Sequence, residues 1–299
     1  MTPKQPIIRY AIHELGFDDC RFTSPFVDQE LNAMRQWLNN HRHGDMDYLQ
    51  RHLPFKEDPN QMLDQVRTAI IVIKNYKNTK QQTLNQKFKI ARYAAGKDYH
   101  LVIGEKLDQL SQFISKHHPR ETCVWGIDSK PIAERTLAAK SGIGFIGKNS
   151  MLIKPGLGSY FFIGVVFTTL SIERDPLLKW DCGQCRLCLD ACPTGALHTP
   201  FEVDSPKCIS YQTIEQKQPM TPKQMMPSQD WLFGCDICQE VCPYNHPGIP
   251  MTSWNEFLPT SGIGFEAFSG DRPPDIPKHT PLYRSRKRIL PNWENRKNP

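Results

Sequence analysis

Hydrophobic residues in the first 175 positions alternate between helix-like and strand-like spacing. Apolar side chains three or four positions apart, as at Leu31, Met34 and Leu38, predict amphipathic helices over residues 28–49, 99–117 and 131–140. Short runs rich in β-branched and aromatic residues predict strands over residues 68–74, 122–127 and 160–169. Such an alternation is typical of an α/β or α+β domain.

From Asp181 the pattern changes, because cysteines cluster and strand signals stop. The last fifty residues are rich in proline and basic side chains and predict an irregular tail. We therefore predict an α+β protein in three parts: residues 1–175, a metal-organised module over 176–250, and a tail over 251–299.

The strongest chemical signal is the first cysteine run, Cys182-Gly-Gln-Cys185-Arg-Leu-Cys188-Leu-Asp-Ala-Cys192-Pro193. Its C-x2-C-x2-C-x3-C-P spacing is the pattern of bacterial ferredoxins. The second cysteine run, Cys235-Asp-Ile-Cys238-Gln-Glu-Val-Cys242-Pro243, repeats only the last three cysteines. Leu232 stands where its first cysteine would fall, and Cys208 is the nearby cysteine left to fill that place.

The resemblance to two-cluster ferredoxins implies crossed ligation. One [4Fe–4S] cluster then binds Cys182, Cys185, Cys188 and Cys242, and the other binds Cys192, Cys208, Cys235 and Cys238. The alternative is zinc held by four thiolates, but zinc ribbons use paired C-x2-C knuckles without the third cysteine and the C-P step. The two remaining cysteines, Cys20 and Cys123, stand among apolar residues and are predicted to be core residues.

A glycine-rich stretch over residues 142–148 imitates nucleotide-binding loops. Phosphate-binding loops follow a strand and open a helix. Here the predicted helix comes before the loop and a predicted strand, Ser150–Ile153, comes after it. Asn149 also replaces the Ser or Thr that binds magnesium. The order argues against a nucleotide site, and the glycines are expected to let the backbone approach a large flat ligand.

The 37 basic and 31 acidic residues give a formal net charge of +6, a modest excess typical of a solvated surface. Residues 272–299 hold eight Lys or Arg against two acids, which favours either phosphate contact or a frayed terminus.

Apolar stretches long enough for a membrane span are absent from the sequence, and the start, Met1-Thr-Pro-Lys-Gln-Pro6, has no apolar signal region. A cytoplasmic protein without a membrane association is expected.

Taken together, the motifs resemble those of the epoxyqueuosine reductase family, which acts on the tRNA wobble position. Beside the first cysteine run, the resemblance rests on residues 92–100 (RYAAGKDYH), 128–135 (DSKPIAER), 142–149 (GIGFIGKN), 208–215 (CISYQTIE) and 231–238 (WLFGCDIC). It covers roughly residues 45 to 290. It implies an N-terminal cobalamin-binding domain like that of reductive dehalogenases, followed by a ferredoxin-like module whose two clusters feed electrons to cobalt.

The resemblance also implies site residues. Asp128 corresponds to the family's proton donor, although an aspartate at a strand end also commonly caps the following helix. The matching segments supply the expected cobalamin contacts, which are Ala94, Asp128, Asn149, Leu152, Ile163, Ser210 and Asp236. Arg92 and His100 either serve the corrin side groups or RNA, or are structural. Lys217 and the arginines of the tail are candidates for tRNA phosphate contact.

The implied function is a monomeric reductase that converts epoxyqueuosine to queuosine in tRNA. Its electrons would come from an external donor of the flavodoxin or ferredoxin type. Two alternatives stay open from the sequence. One is a pure iron–sulfur electron carrier, and the other is a cobalamin-dependent reductase of a different substrate.

Overall fold

The structure, a computed structural model, describes residues 2–27, 29–78, 82–84, 88–228, 230–259 and 275–297. The predicted α+β class is confirmed. The α-helices are α1 (Lys4–Arg9), α2 (Asn32–Asn39), α3 (Tyr48–Glu57), α4 (Tyr99–His117), α5 (Glu134–Lys140), α6 (Leu187–Asp190), α7 (Ile209–Ile214), α8 (Pro222–Ser228), α9 (Ile237–Glu240) and α10 (Arg286–Lys297). The strands are β1 (Asp19–Thr23), β2 (Thr68–Asn75), β3 (Gln82–Leu84), β4 (Phe88–Ile90), β5 (Cys123–Gly126), β6 (Phe145–Ile146), β7 (Leu152–Ile153), β8 (Phe161–Thr168) and β9 (Trp231–Phe233).

A four-stranded sheet of order β1-β2-β8-β5 forms the centre of the N-terminal part, and each neighbouring pair is antiparallel. All eight residues of β2 are buried. Successive side chains of a strand point to opposite faces. Ile70 and Val72 accordingly pack into one apolar cluster, whereas Ile71 and Ile73 pack into another. The sheet is therefore covered on both faces, which explains why β2 reads as a continuous apolar run.

Helix α4 covers the first face and sets the position of the residues at its own start. Leu107 and Leu110 of α4 are fully buried in the first cluster. A Cβ atom at Gly164 of β8 would meet the side chain of Leu107 at 2.9 Å, so this glycine lets the helix lie close to the sheet. Asp98 caps α4 by accepting a hydrogen bond from the amide of His100. The first turn of α4 is thereby fixed relative to the sheet.

Most predicted elements are confirmed, and the helix predicted over 99–117 has the same bounds as α4. The helix predicted over 28–49 is limited to α2 after a short 3-10 turn, and Asp28 itself lies outside the described residues. The helix predicted from Pro131 begins at Glu134 as α5. The three predicted strands correspond to β2, β5 and β8.

Two expectations about the C-terminal half are wrong. Strands do not stop at Asp181, because β9 pairs in parallel with β4 in a sheet of order β3-β4-β9. The tail is not irregular over residues 286–297, because α10 buries Ile289 and Trp293 against β4 and β9. These side chains stand four residues apart and share one helix face. Residues 260–274 of the predicted tail lie outside the described residues, and the boundaries of the three parts stay a prediction.

In the part of the chain that the structure describes, no helix is long and apolar enough to cross a bilayer.

Candidate functional site

The two cysteine runs adopt the same local structure. In the first run a short helix, α6, carries Cys188, and in the second run α9 carries Cys238. In each run a Cys-Pro step follows the helix within two residues. The two helices pack together, with Cys192, Val203, Cys238 and Val241 against the buried Cys188 and Leu197. The runs are thus two halves of one module that share a small apolar core.

Four thiols from the two runs line one cavity. Its wall contains Cys182, Cys185 and Cys188 of the first run together with Cys242 of the second. Burial, followed by repulsion from Cys182 and Cys242, raises the pKa of the Cys188 thiol. Because thiolates crowded at one place need a cation or cluster to balance their charge, this group has the donor chemistry of a metal centre.

The remaining four cysteines form a second, deeper group. Burial, followed by the charges of Cys208 and Cys192, raises the pKa of Cys235 to about 12. Burial and then Cys235 and Cys208 raise the pKa of Cys238. Cys208 lies directly before α7, and the amides of Tyr211 and Ser210 donate hydrogen bonds to its sulfur. The amide donors favour the thiolate form there, although burial keeps the pKa of Cys208 above its ordinary value.

Cys20 is buried in the first apolar cluster, as predicted, and Cys123 of β5 packs partly buried against the same cluster. The glycine-rich stretch follows α5, contains β6 and is followed by β7, so the predicted order of helix before and strand after the loop is confirmed. Its glycines are explained by the protein itself. A Cβ at Gly142 would clash with the carbonyl oxygen of Pro176, and a Cβ at Gly144 would clash with that of Ile153.

Asp128 follows β5 and carries its carboxyl into a hydrogen-bonded network. Its backbone has a φ of 52°, in the left-handed region that aspartate tolerates better than most residues. Asp128 Oδ2 accepts a hydrogen bond from the Tyr99 hydroxyl at 2.7 Å and lies 3.3 Å from His100 Nε2. The alternative that Asp128 caps α5 is wrong, since the residue preceding that helix is Ala133.

A second carboxylate lies behind His100. His100 Nδ1 is 2.7 Å from Asp98 Oδ1, and Asp98 is almost completely buried. Arg284 Nε donates to the other oxygen of Asp98 at 3.1 Å. A continuous chain of polar contacts therefore runs from Arg284 through Asp98 and His100 to Asp128. One residue of the basic tail is thus committed to this network.

The Asp128 side chain is accessible and yet surrounded. It is 65% exposed. Electrostatic interactions join its carboxylate to groups on several elements, namely Tyr48 and Lys56 of α3, Tyr93 before α4, Glu134 and Arg135 of α5, and Glu215 after α7. An exposed side chain with neighbours on so many sides lies inside an open cavity. Convergent polar groups on a concave surface are typical of a ligand site.

The hydrogen bonds of the network shift the pKa values of Asp128 and His100 in opposite directions. The protein atoms crowded around Asp128 displace water and would raise its pKa, but the hydrogen bonds from His100 and Tyr99 outweigh this desolvation and hold that pKa below its ordinary value. Burial would lower the pKa of His100, but its bonds to Asp128 and Asp98 hold that pKa above its ordinary value. Asp128 is therefore a carboxylate near neutral pH, and the raised pKa of His100 favours its protonated form.

Four of the predicted cobalamin contacts lie on segments that meet beside the deeper cysteines. Asp236 Oδ2 accepts a hydrogen bond from the Arg92 amide at 2.7 Å, in the short turn that contains Ala94. Asn149 Nδ2 donates to the carbonyl oxygen of Cys238 at 3.3 Å. Ser210 lies in the first turn of α7, next to Cys208.

The other two predicted contacts, Leu152 and Ile163, share the apolar cluster on the second face of the sheet. Arg135 connects the regions, because its guanidinium donates to the carbonyl oxygen of Ser150 in the loop between Asn149 and Leu152. The predicted residues thus lie on neighbouring segments between the Asp128 cavity and the deeper cysteines.

The remaining predicted candidates are engaged in ion pairs. Arg92 contacts Glu240 at 3.1 Å and Asp236 at 4.0 Å. Lys217 pairs with Asp47 at 3.0 Å on the surface. These contacts give each residue a structural role, and a surface pair such as that of Lys217 is weak enough to exchange for a phosphate.

Comparison with known proteins agrees with this geometry. Residues 181–245 match the "4Fe-4S double cluster binding domain" family, and residues 56–129 match "Epoxyqueuosine reductase QueG, DUF1730". The chain is 39% identical over 251 residues to the epoxyqueuosine reductase of Leadbetterella byssophila, covering 84% of this chain and 82% of that protein.

Solved structures of the same enzyme share the fold. The structure of epoxyqueuosine reductase from Bacillus subtilis, described with its catalytic aspartate loop swung out of the active site, has a TM-score of 0.82 and 26% identity. It matches 97% of this chain and 79% of that one. An epoxyqueuosine reductase solved with an epoxyqueuosine-modified tRNA stem loop has a TM-score of 0.80 and 27% identity, with the same two coverages.

The cysteine module therefore belongs to the class of proteins that bind two [4Fe–4S] clusters, and the zinc alternative is excluded by this family match. The chain as a whole belongs to the epoxyqueuosine reductase family.

Most of the groups around Asp128 were not predicted from the sequence. Tyr99 donates to its carboxyl, and Glu134 lies in the same cavity, where burial raises the pKa of Glu134 to about 7. The sequence Asp98-Tyr99-His100 contains a signal for two of these residues. Asp98 predicts the start of a helix as its N-cap residue, and Tyr99 and His100 then both lie in the first turn of that helix. Glu134 lacked such a signal, because its position depends on how α5 packs against the central sheet.

Proposed function

We propose that this protein reduces epoxyqueuosine to queuosine at the wobble position of tRNA, using cobalamin and two [4Fe–4S] clusters. Family membership supports the activity. The observation that carries the proposal is the accessible Asp128 carboxyl, which lies 2.7 Å from the Tyr99 hydroxyl and 3.3 Å from His100 Nε2.

The cluster ligands follow from the two groups of thiols. One cluster binds Cys182, Cys185, Cys188 and Cys242, and the shared cavity of these four cysteines supports this set. The other binds Cys192, Cys208, Cys235 and Cys238, which is supported by the mutual electrostatic interactions among these thiols. Each set takes thiols from both halves of the chain's cysteine module.

The residues beside Asp128 fit a large flat cofactor. Ile163 is the only residue of β8 that is not fully buried, and it offers an apolar contact next to the buried Leu152. Polar groups occur at the margins, on Asn149, Ser210 and Asp236. These residues, together with Ala94 and Asp128, would hold cobalamin. When bound, cobalamin supplies a strongly nucleophilic, doubly reduced cobalt for attack on an epoxide carbon.

The protein must also supply the protons that the reaction consumes. Reduction of an epoxide to an alkene consumes two electrons and two protons and releases one water. Both protons end on the departing oxygen, so a single carboxylic acid at Asp128 has to be reloaded once in each turnover. The contact between His100 Nε2 and Asp128 Oδ2 provides the nearest source for that proton.

Filling the cavity favours the acid form of Asp128. Cofactor and substrate displace water, and this loss of water raises the free energy of the charged pair formed by the Asp128 carboxylate and the His100 imidazolium. Transfer of the proton from His100 to Asp128 makes both groups neutral and therefore becomes more favourable. Asp98 accepts from His100 Nδ1 and fixes the ring so that Nε2 faces Asp128. Tyr99 holds the carboxyl in position through its hydroxyl.

We expect His100→Gln to slow turnover by about 10²-fold, because the proton that reloads Asp128 is then lost. In the unaltered enzyme the rate should fall as pH rises through the raised pKa of His100, since the imidazole loses its proton there. His100→Gln should remove this alkaline decline over the same pH range. Single-turnover rates between pH 6 and pH 9 measure both effects.

The control is His13→Gln, because His13 is exposed on the N-terminal helical segment. It should leave both rate and pH profile unchanged. An unaltered alkaline decline in His100→Gln would show that another group supplies the proton.

The proposal includes three further features. tRNA binds at the mouth of the Asp128 cavity, with Lys217 and the arginines of the tail as phosphate contacts. Electrons come from an external carrier of the flavodoxin or ferredoxin type. The enzyme acts as a monomer in the cytoplasm, where its tRNA substrate is found.

The test is a single-turnover reaction of the anaerobic holoprotein with an epoxyqueuosine-bearing tRNA stem loop and a chemical reductant. Mass spectrometry should detect queuosine in one-to-one yield, and only when cobalamin has been added. A protein that contains both clusters but leaves epoxyqueuosine unchanged with cobalamin present would instead be an electron carrier, or a reductase of another substrate.

A further inference from the structure

We infer that the external electron carrier docks on an apolar surface around the first cysteine run, and that the carrier is an acidic protein. The inference rests on the proposed function, because that function requires electrons from outside the chain. We call this region the entry surface. It is formed by the exposed side chains of Leu177, Leu178, Trp180, Leu187 and Phe201.

Exposed apolar side chains are concentrated at this place. Ten large hydrophobic side chains are exposed in the described part of the chain, and five of them fall between residues 177 and 201. Their exposed fractions lie between 40% and 65%, with Trp180 at 53%. Scattered surface leucines are ordinary, but a contiguous apolar patch marks an interaction site. An exposed tryptophan is among the residues most enriched at the centres of protein interfaces.

Contacts with Lys148 and with the cavity of the first four thiols place Leu187 and Phe201 at the loop of the first cysteine run. Leu187 lines the cavity of the first four thiols, beside Tyr244 and Lys148. Lys148 Nζ donates to the carbonyl oxygens of Gly183 and Cys185, at 2.6 and 2.9 Å. The amide of Phe201 donates to the carbonyl oxygen of Lys148 at 2.9 Å, which joins Phe201 to the same loop.

Trp180 completes the other side of this loop. It lies two residues before Cys182, and the carbonyl oxygen of the intervening Asp181 accepts a hydrogen bond from the Tyr244 hydroxyl. The backbone of Leu178 lies close to Gly142, so the segment before the first cysteine run is held against the body of the protein. The entry surface therefore lies around the loop of the first cysteine run, next to the cavity of the outer four thiols.

The order of the two clusters makes this surface the entrance. The deeper thiols, including Cys208 and Cys235, stand next to Ser210 and Asp236 on the cofactor side of the module. Residues 183, 184, 186 and 187 between the first cysteines are exposed. A carrier at the entry surface would reduce the outer cluster by one electron and would itself be oxidised by one. The inner cluster would then pass the electron toward the cavity.

Charge indicates the kind of carrier. Lys148 and Lys179 lie at the entry surface, and among the described residues neither one pairs with a carboxylate. Asp181 turns its carboxylate to the amide of Gly183, and Asp190 pairs with Arg186 at 3.7 Å. The whole chain carries a formal charge of +6. Complementary charges accelerate association and align partners, so an acidic carrier protein suits this surface.

The experiment follows cluster bleaching by stopped-flow absorbance after the holoprotein is mixed with reduced flavodoxin, without any tRNA. We expect Trp180→Ser combined with Lys179→Glu to lower the second-order rate constant about tenfold or more. Reduction by photoreduced deazaflavin, a small neutral donor, should be unchanged. The matched control is Met226→Ser combined with Lys223→Glu on the exposed side of α8, which should leave both reactions unchanged.

The outcomes separate this inference from the proposed function. An unchanged flavodoxin rate in the Trp180 and Lys179 variant would overturn the entry surface. Loss of tRNA stem-loop affinity with an unchanged flavodoxin rate would assign the surface to RNA and overturn the inference as well. Turnover of epoxyqueuosine with the chemical reductant tests the proposed function alone, and it should be retained by this variant.

Discussion

Asp128→Asn should reduce the conversion of epoxyqueuosine by about 10³-fold, within the 10²- to 10⁴-fold range typical of general acid catalysis. The amide cannot deliver a proton, but it can still accept the hydrogen bond that the Tyr99 hydroxyl gives to Asp128 in the structure. The fold, both clusters and cofactor binding should therefore persist. Single-turnover rates measured by mass spectrometry of the digested stem loop would quantify the loss.

The matched control is Asp64→Asn, because Asp64 is an exposed aspartate after α3. Its rate should equal that of the unaltered enzyme. Absorbance of the clusters in both variants would verify that the comparison concerns proton transfer. Full activity in Asp128→Asn would remove the proton-donor role and leave Glu134 as the carboxyl to examine next in the same cavity.

Cys208→Ala should remove one cluster and leave the other intact. Two [4Fe–4S] clusters correspond to eight irons, so iron content should fall to about four per chain. The thiols of Cys182, Cys185, Cys188 and Cys242 line a separate cavity and should keep their cluster. Turnover should be abolished with any reductant, because the inner cluster links the outer one to the cofactor.

Two other variants guard against a general folding defect. Cys20→Ala removes a buried cysteine of the N-terminal core and should retain eight irons. Cys242→Ala should lose the outer cluster alone, and chemical reduction of its inner cluster should still be possible. Loss of all iron from Cys208→Ala, in a chain that remains folded by circular dichroism, would contradict independent ligand sets.

The cysteine module was predictable because its chemistry is encoded in local spacing. A repeat of three cysteines with one missing member points to Cys208 even though that residue is separated by twenty-six positions from Cys235. The central sheet was also predictable, since β2 and β8 are long buried strands with continuous apolar runs. Both signals depend on neighbouring residues in the chain.

The two elements that were not predicted from the sequence, β9 and α10, both depend on contacts with residues that are distant in the chain. β9 has only three residues, and it forms a strand because β4 pairs with it across more than 140 positions of sequence. α10 contains Pro291 and many charges, so its pattern favoured an irregular tail, yet Ile289 and Trp293 are buried by β4 and β9. Tertiary packing overrides weak local propensity in such short elements.

The role of Asp128 could be predicted only in part. From the residues alone, a strand-end aspartate before a helix favours a cap, and only the family resemblance indicated a proton donor. The structure excludes the cap and supplies Tyr99 and His100 as its partners. Their meeting depends on how α4 crosses the sheet at Gly164, a contact that sequence periodicity does not encode.

The most direct test of the central claim is nucleoside mass spectrometry of tRNA from a bacterium that lacks its own epoxyqueuosine reductase and expresses this chain. We predict that queuosine replaces the accumulated epoxyqueuosine when cobalamin is supplied, and that Asp128→Asn fails to restore it. Persistent epoxyqueuosine, despite a chain that purifies with eight irons and binds cobalamin, would contradict the account.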